Sequence, residues 1–103
     1  GKEIIACATV ADSKYTKYEG YLEVESLYVL PKYWENKAGS LLMDEILSYA
    51  KKEGYEHLNL WDFEDNAESI KFYEKFGFKA NGDLKAVAKG DMFITHRCFV
   101  REI

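Results

Sequence analysis

No apolar run in the 103-residue sequence approaches the ~20 residues that a membrane-spanning helix needs, so no span is expected. No signal peptide is visible either, although the sequence opens on Gly1 rather than on Met. Basic residues form no cluster: 14 Lys and Arg stand against 18 Asp and Glu, a net charge of −4, and the lysines are scattered. Nucleic acid is thereby disfavoured as the main partner, because phosphate contacts need a concentrated basic face. Cysteine is scarce. Cys7 and Cys98 lie far apart in apolar-rich segments, without metal-ligand spacing, and are expected as reduced, buried thiols in a cytoplasmic protein. Internal repeats and low-complexity segments are missing too, so residues 1–103 are expected to form one domain around one modest core. Aromatic residues are plentiful; at 16% of the chain, rings should supply much of the burial.

The apolar pattern changes period along the chain. Ile4 to Val10 is a run of strand length, followed by a polar loop from Ala11 to Gly20. Tyr21 to Leu30 alternates, with Leu22 and Val24 on one side and Glu23 and Glu25 on the other. The alternation fails at Ser26, Leu27 and Tyr28, which predicts a β-bulge or the end of pairing there. Pro31 stops the strand because it cannot donate to a ladder. From Ala38 to Lys52, Leu42, Ile46, Tyr49 and Ala50 recur at helical spacing; Lys51 and Lys52 suit the C-terminal dipole and Gly54 the stop. His57 to Phe63 returns to period two. Asn66 is placed to cap a second helix carrying Ile70, Tyr73 and Phe76, which ends at Gly77. Phe78 to Leu84, with Asn81–Gly82 read as a turn pair, and Met92 to Val100 close the chain as strands. Helices alternating with strands before a final hairpin imply an α/β domain with a mixed sheet.

Asn66 to Phe78 reads NAESIKFYEKFGF, in itself a short, capped amphipathic helix with a glycine stop. Its spacing resembles the N-x-x-[SA]-x-x-F-Y-x-K-x-G-F signature of the GNAT N-acetyltransferases and matches it at every fixed position. Upstream, LYVLPKYWENKAGSLLMDEIL resembles the family's strand, proline loop, pyrophosphate loop and helix. The resemblance runs from about Lys2 to the C-terminus, the terminal hairpin matching only by pattern. It implies a GNAT-like, mostly antiparallel sheet with flanking helices and a splayed parallel pair formed by residues 21–30 and 57–63. It also implies acetyl-CoA as co-substrate, no metal, and acetyl transfer to a primary amine of a small molecule or protein.

Residue roles follow from the same resemblance. Backbone amides of Leu27 and Val29, with Tyr28 between them, would bind the pantetheine as a partner strand does. Asn66 would reach it from the facing strand end. Amides of Glu35, Asn36, Lys37, Ala38, Gly39 and Ser40 would hold the pyrophosphate at a helix start. Tyr73 would protonate the leaving sulfur, and Glu23 or Glu25 would draw the proton from the amine, with Asp62 and Glu64 as alternatives on the later strand. Each residue also has a plainer reading: Tyr73 as a core aromatic, Asn66 as an N-cap, Glu23 and Glu25 as a solvated strand face, His57 and His96 as strand residues without chemistry.

The sequence departs from the family in two places. Where the loop usually reads [RQ]-x-x-G-x-[GA], this chain has Trp34-Glu35-Asn36-Lys37-Ala38-Gly39, so Lys37 stands at the first glycine. A glycine lost narrows backbone freedom, Lys37 could offset it by charge, and Glu35 would repel a phosphate unless turned outward. Family domains also begin with a strand, two helices and a strand that have no counterpart here, and Gly1–Lys2 resembles the turn of a hairpin without its first strand. A sheet so shortened would expose the edge at Ile4–Val10 and favour a homodimer. The acidic residues Glu23, Glu25, Glu64, Asp65 and Glu68 would favour a cationic acceptor. A CoA-binding sensor without catalysis, or a domain keeping only the fold, remains a competing expectation.

Overall fold

The computed structural model describes residues 6–33, 37–63 and 65–103. Among them run β1 (Ala6–Asp12), β2 (Leu22–Val29), α1 (Ala38–Lys52), β3 (His57–Phe63), α2 (Ala67–Lys75), β4 (Lys79–Lys89) and β5 (Met92–Glu102). The strands form one sheet in the order β1-β2-β3-β5-β4. Only β2 and β3 are parallel; the other three pairings are antiparallel. This is the mixed, mostly antiparallel sheet expected from the sequence.

Both helices cover the same face. Leu22 and Val24 of β2, Leu58 and Leu60 of β3 and Phe99 of β5 project towards Met43, Ile46 and Ala50 of α1 and Tyr73 of α2. Period two in the strands and 3.6 in the helices place these residues on facing surfaces, and each large side chain so buried contributes roughly 1.5–3 kcal/mol. Both helices stop by one device. Gly77 has φ 87° and donates to the Glu74 carbonyl at 3.0 Å, while Phe78 donates to the Tyr73 carbonyl at 3.1 Å. Gly54 (φ 83°) and Tyr55 repeat the pattern on Lys51 and Ala50. A left-handed residue after the helix satisfies its last carbonyls in this way.

The opposite face has a thinner cover, the loop between β1 and β2. Tyr18, in a 3-10 turn at Thr16–Tyr18, is buried with its ring against Trp61. Its hydroxyl donates to Asp83 of β4 and accepts from Asn81 Nδ2 at 2.6 Å, while Lys17 Nζ lies 2.6 Å from Asp83. Burial, followed by the bond to Asp83, raises the Tyr18 phenol.

Four sequence expectations need correction. β1 continues through Ala11 to Asp12, into the segment read as loop. The bulge in β2 falls at Glu25: Thr9 pairs with Ser26 and Val10 with Val24, so Glu25 is skipped and the inward positions shift from Leu22 and Val24 to Leu27 and Val29. Asn81–Gly82 is no hairpin turn but an irregularity within β4, where Ala80 pairs with Phe99 and Leu84 with Arg97. The chain reverses at Gly90 and Asp91 instead. Cys98 is buried as expected but Cys7 is exposed, and both are free thiols. Ile4, Ile5 and the Gly1–Lys2 turn lie outside the described residues.

Candidate active site

The β2–β3 ladder has three pairs, Leu22–Leu58, Glu23–Asn59 and Val24–Leu60. Beyond them β2 keeps its pairing with β1 as far as Val29, and β3 keeps its pairing with β5 to Phe63. The bulge at Glu25 sits where β2 leaves β3, so the two parallel strands part towards their C-terminal ends. Leu27, Tyr28 and Val29 border this opening on the β2 side; Leu27 packs on the core and Tyr28 is exposed.

The head of α1 stands at the mouth of the opening. A Cβ on Gly39 would come within 3.3 Å of Val29 Cγ2 and 3.4 Å of Phe72 Cζ, so the first turn rests directly on the end of β2 and on α2. Lys37 occupies the N-cap with φ 62°, a left-handed conformation that disfavours a lysine by roughly 1–2 kcal/mol. It stands where the family pattern has glycine, which shows why glycine is used there. Its carbonyl accepts from Leu41 N–H at 3.0 Å. Among the described residues the helix start has no side-chain cap and no acidic residue in its first turn, leaving the amide end at Ala38, Gly39 and Ser40 suited to an anion. Trp34, Glu35 and Asn36 lie outside the described residues.

On the helix side of the sheet, Tyr73 is buried against Phe72 and Phe78, with ring centroids 5.5 and 6.0 Å away. Burial first, and the Asp62 carboxylate second, push its phenol up to about 12. Asp62 lies two residues past the last rung of the ladder. Asp62 accepts from the Ser69 hydroxyl and from Phe63 N–H at 2.8 Å. It therefore serves the helix side and does not join Glu23. Asn66 is at the N-cap of α2 as expected, but its side chain makes no capping bond. The backbone fixes it instead, through Asn66 N–H to Phe63 O and Ile70 N–H to Asn66 O, both 3.0 Å.

The other candidate carboxylates face away from the helices. Glu23 Oε1 accepts from Asn59 Nδ2 at 3.0 Å and from the Ser13 hydroxyl at 3.3 Å. Glu25 lies 4.0 Å from Lys14 Nζ. Both line a cleft of about 210 Å³ whose floor is Trp61 and whose far wall is Lys85, Val87 and His96 of the β4–β5 hairpin. Lys85, Trp61 and Tyr15 form a cluster that the sequence did not reveal. Lys85 Nζ is 4.6 Å from the Trp61 ring centroid and 2.9 Å from the Tyr15 hydroxyl. These residues come from a loop and two strands, and no local pattern ties them together. His96, read as a strand residue without chemistry, is half-buried in this cleft. Glu64 lies outside the described residues.

A buried phenol on one face of the sheet and carboxylates on the other flank a gap between two parallel strands. Residues 1–78 match the Acetyltransferase (GNAT) family, and the chain belongs to that family. It is 37% identical over 60 residues to an uncharacterized N-acetyltransferase of Schizosaccharomyces pombe, a match covering 58% of this chain and 37% of that protein. The structure resembles an N-acetyltransferase from Staphylococcus aureus at a TM-score of 0.80 with 25% identity, covering 95% of this chain and 60% of that one. It also resembles a GNAT family acetyltransferase from Elizabethkingia anophelis with acetyl-CoA bound, at a TM-score of 0.77 and 17% identity, covering 98% and 70%. The chain thus spans little more than a third of the fission yeast relative's length. Among the described residues, no helix is long and apolar enough to cross a membrane.

Proposed function

We propose that this chain carries the catalytic portion of an acetyl-CoA-dependent N-acetyltransferase that acts on a primary amine of a small molecule or protein. The observation that carries the reading is the three-rung β2–β3 ladder, which opens with Tyr73 on one side and Glu23 on the other. When bound, acetyl-CoA would supply an activated acyl group as a thioester. The residues present fit it: the uncapped α1 start offers amides at Lys37, Ala38, Gly39 and Ser40 to a pyrophosphate, and the Lys37 ammonium adds charge. The border at Leu27, Tyr28 and Val29 would receive the pantetheine, with Asn66 reaching from the α2 side. Glu35 and Asn36 belong to the same proposed loop.

Glu23, oriented by Asn59 and Ser13, takes a proton from the incoming ammonium directly or through water, with Glu25 as the second candidate. The neutral nitrogen then attacks the acyl carbon, an N–C bond forms, the C–S bond breaks, and the proton that the nitrogen sheds passes through water to the departing thiolate. Tyr73 meets the departing sulfur. Complete proton transfer from a phenol at about 12 to a thiolate of ordinary pKa near 8.5 is uphill, so Tyr73 acts chiefly as a hydrogen-bond donor to developing charge. The carboxylates attract a cationic acceptor, and two free thiols suit a reducing, cytoplasmic location. A second copy of the chain could pair along the outer edge of β1; a monomer in sedimentation at high concentration would remove that part.

Acetyl transfer from acetyl-CoA to a panel of primary amines tests the reading. Tyr73→Phe should lower kcat by about 10²-fold, at the lower end for general acid catalysis, with little change in acetyl-CoA affinity. Unchanged turnover would strip Tyr73 of its role. Acetyl-CoA binding without transfer to any amine would favour a sensor, and absence of binding would overturn both.

A further inference from the structure

The cleft opposite the helices is not uniformly acidic. Its β2 wall carries Glu23 and Glu25, and its hairpin wall carries Lys85. The strand order sets Lys85 three strand intervals from β2, about 14 Å at ~4.8 Å each. Its ammonium nevertheless lies 4.6 Å from the centroid of Trp61 on β3, so the side chain leans back across β5 towards the carboxylates. It does not reach them: among the described residues no carboxylate lies within 4.0 Å of Lys85 Nζ. Two ring faces and the Tyr15 hydroxyl hold it, and an ammonium has three hydrogens to donate.

Among the described residues, two buried polar atoms close to this cleft have no partner. The buried indole N–H of Trp61, the residue that forms the cleft floor, is a donor lacking an acceptor. Asn59 Oδ1, on the residue that holds Glu23, is an acceptor lacking a donor, and Asn59 is fully buried. Unmet groups of this kind are costly unless a ligand or water completes them. Both atoms are shut off from solvent, so at the cleft surface it is Glu23 and Glu25 that call for a donor and Lys85 that calls for an acceptor. A simple cation would satisfy the first and be repelled by the second.

We infer that the acceptor is an amine that also bears an anionic group a few atoms away, and that Lys85 recognises the anion. The inference rests on the N-acetyltransferase reading for the fate of the amine. The cleft of about 210 Å³ suits a short zwitterion. The same chemistry is met by a free amino acid or by a peptide amine next to an acidic side chain.

Binding is followed through the indole N–H resonance of Trp61, assigned with Trp61→Phe, in titrations with β-alanine, propylamine and propionate. Two short peptides, with Asp or Asn after an N-terminal Gly, form the second arm. β-Alanine should bind at least tenfold tighter than propylamine, or the Asp peptide tenfold tighter than the Asn peptide; whichever arm shows the preference identifies the source. Lys85→Met should collapse that preference and Lys85→Arg should retain most of it, which a merely structural role for Lys85 would not produce. Equal affinities in both arms, or a preference that survives Lys85→Met, would overturn the inference. Transfer assays with the same probes separate the two readings. Amines acetylated without preference leave the acetyltransferase standing and the inference refuted, whereas preferential binding without transfer does the reverse.

Discussion

Tyr73 sits among Phe72, Phe78 and the Asp62 carboxylate, and these neighbours oppose its ionisation. Between the ordinary phenol value near 10 and about 12, the folded chain holds a proton that the unfolded chain releases. Stability should therefore be complete below pH 10 and fall as pH rises towards 12, by about 2–3 kcal/mol for this one group. Tyr55 and Tyr18 shift in the same direction, so the measured decline includes them. Denaturant unfolding at stepped alkaline pH should show a shallower decline in Tyr73→Phe; equal slopes would contradict the assignment. The motif NAESIKFYEKFGF made this residue legible, because helix, phenol and glycine stop are encoded in thirteen contiguous positions. Lys85, Trp61 and Tyr15 were not legible. Their proximity depends on sheet order and on a loop folded across it, and neither leaves a mark in local spacing.

At the level of elements, α1 and β3 were readable to the residue, since a sustained stripe bounded by Gly54 and a clean alternation leave few alternatives. The bulge in β2 was read one residue too late. An extra residue disturbs the apolar pattern only after the inward face has changed, so Leu27 signals an event at Glu25. Asn81–Gly82 was misread because a hairpin turn and a strand irregularity ask the same thing of a glycine, a positive φ, here 91°. Pairing with β5 decides between them. Gly77 makes a stricter demand. Its φ is 87° and an added Cβ would lie 3.1 Å from Arg101 Nε, which donates to the Phe76 carbonyl at 2.6 Å. Gly77→Ala should destabilise the fold by about 1–2 kcal/mol in chemical denaturation, combining backbone strain with displacement of Arg101.

At the scale of the whole molecule, two helices cover one face and a single loop covers the other among the described residues. The loop is held by Tyr18, Lys17 and Asp83, so the cleft's geometry depends on an attachment made outside its own lining. Tyr18→Phe should cost about 1–2 kcal/mol by leaving Asn81 Nδ2 without its acceptor and Asp83 with Lys17 alone, and should speed proteolysis within residues 13–21. Acid should act on the same attachment. Lys17 first and Tyr18 second hold the Asp83 carboxyl below its usual value, so its contribution is present above the ordinary carboxylate range and fades as pH falls through the lowered value.

The short parallel ladder between β2 and β3 bears on how the chain folds as well as on what passes through it. β1 with β2, and β4 with β5, are neighbours in sequence, whereas the Glu23–Asn59 contact closes a span of 36 residues that contains α1. Contacts of such separation form late because chain entropy must be spent first. Stopped-flow measurements on Leu60→Ala should show unfolding accelerated far more than refolding is slowed, whereas Val87→Ala in the terminal hairpin should slow refolding. The gap through which the two halves of the reaction would meet is then the last part of the sheet to close during folding and the first to come apart.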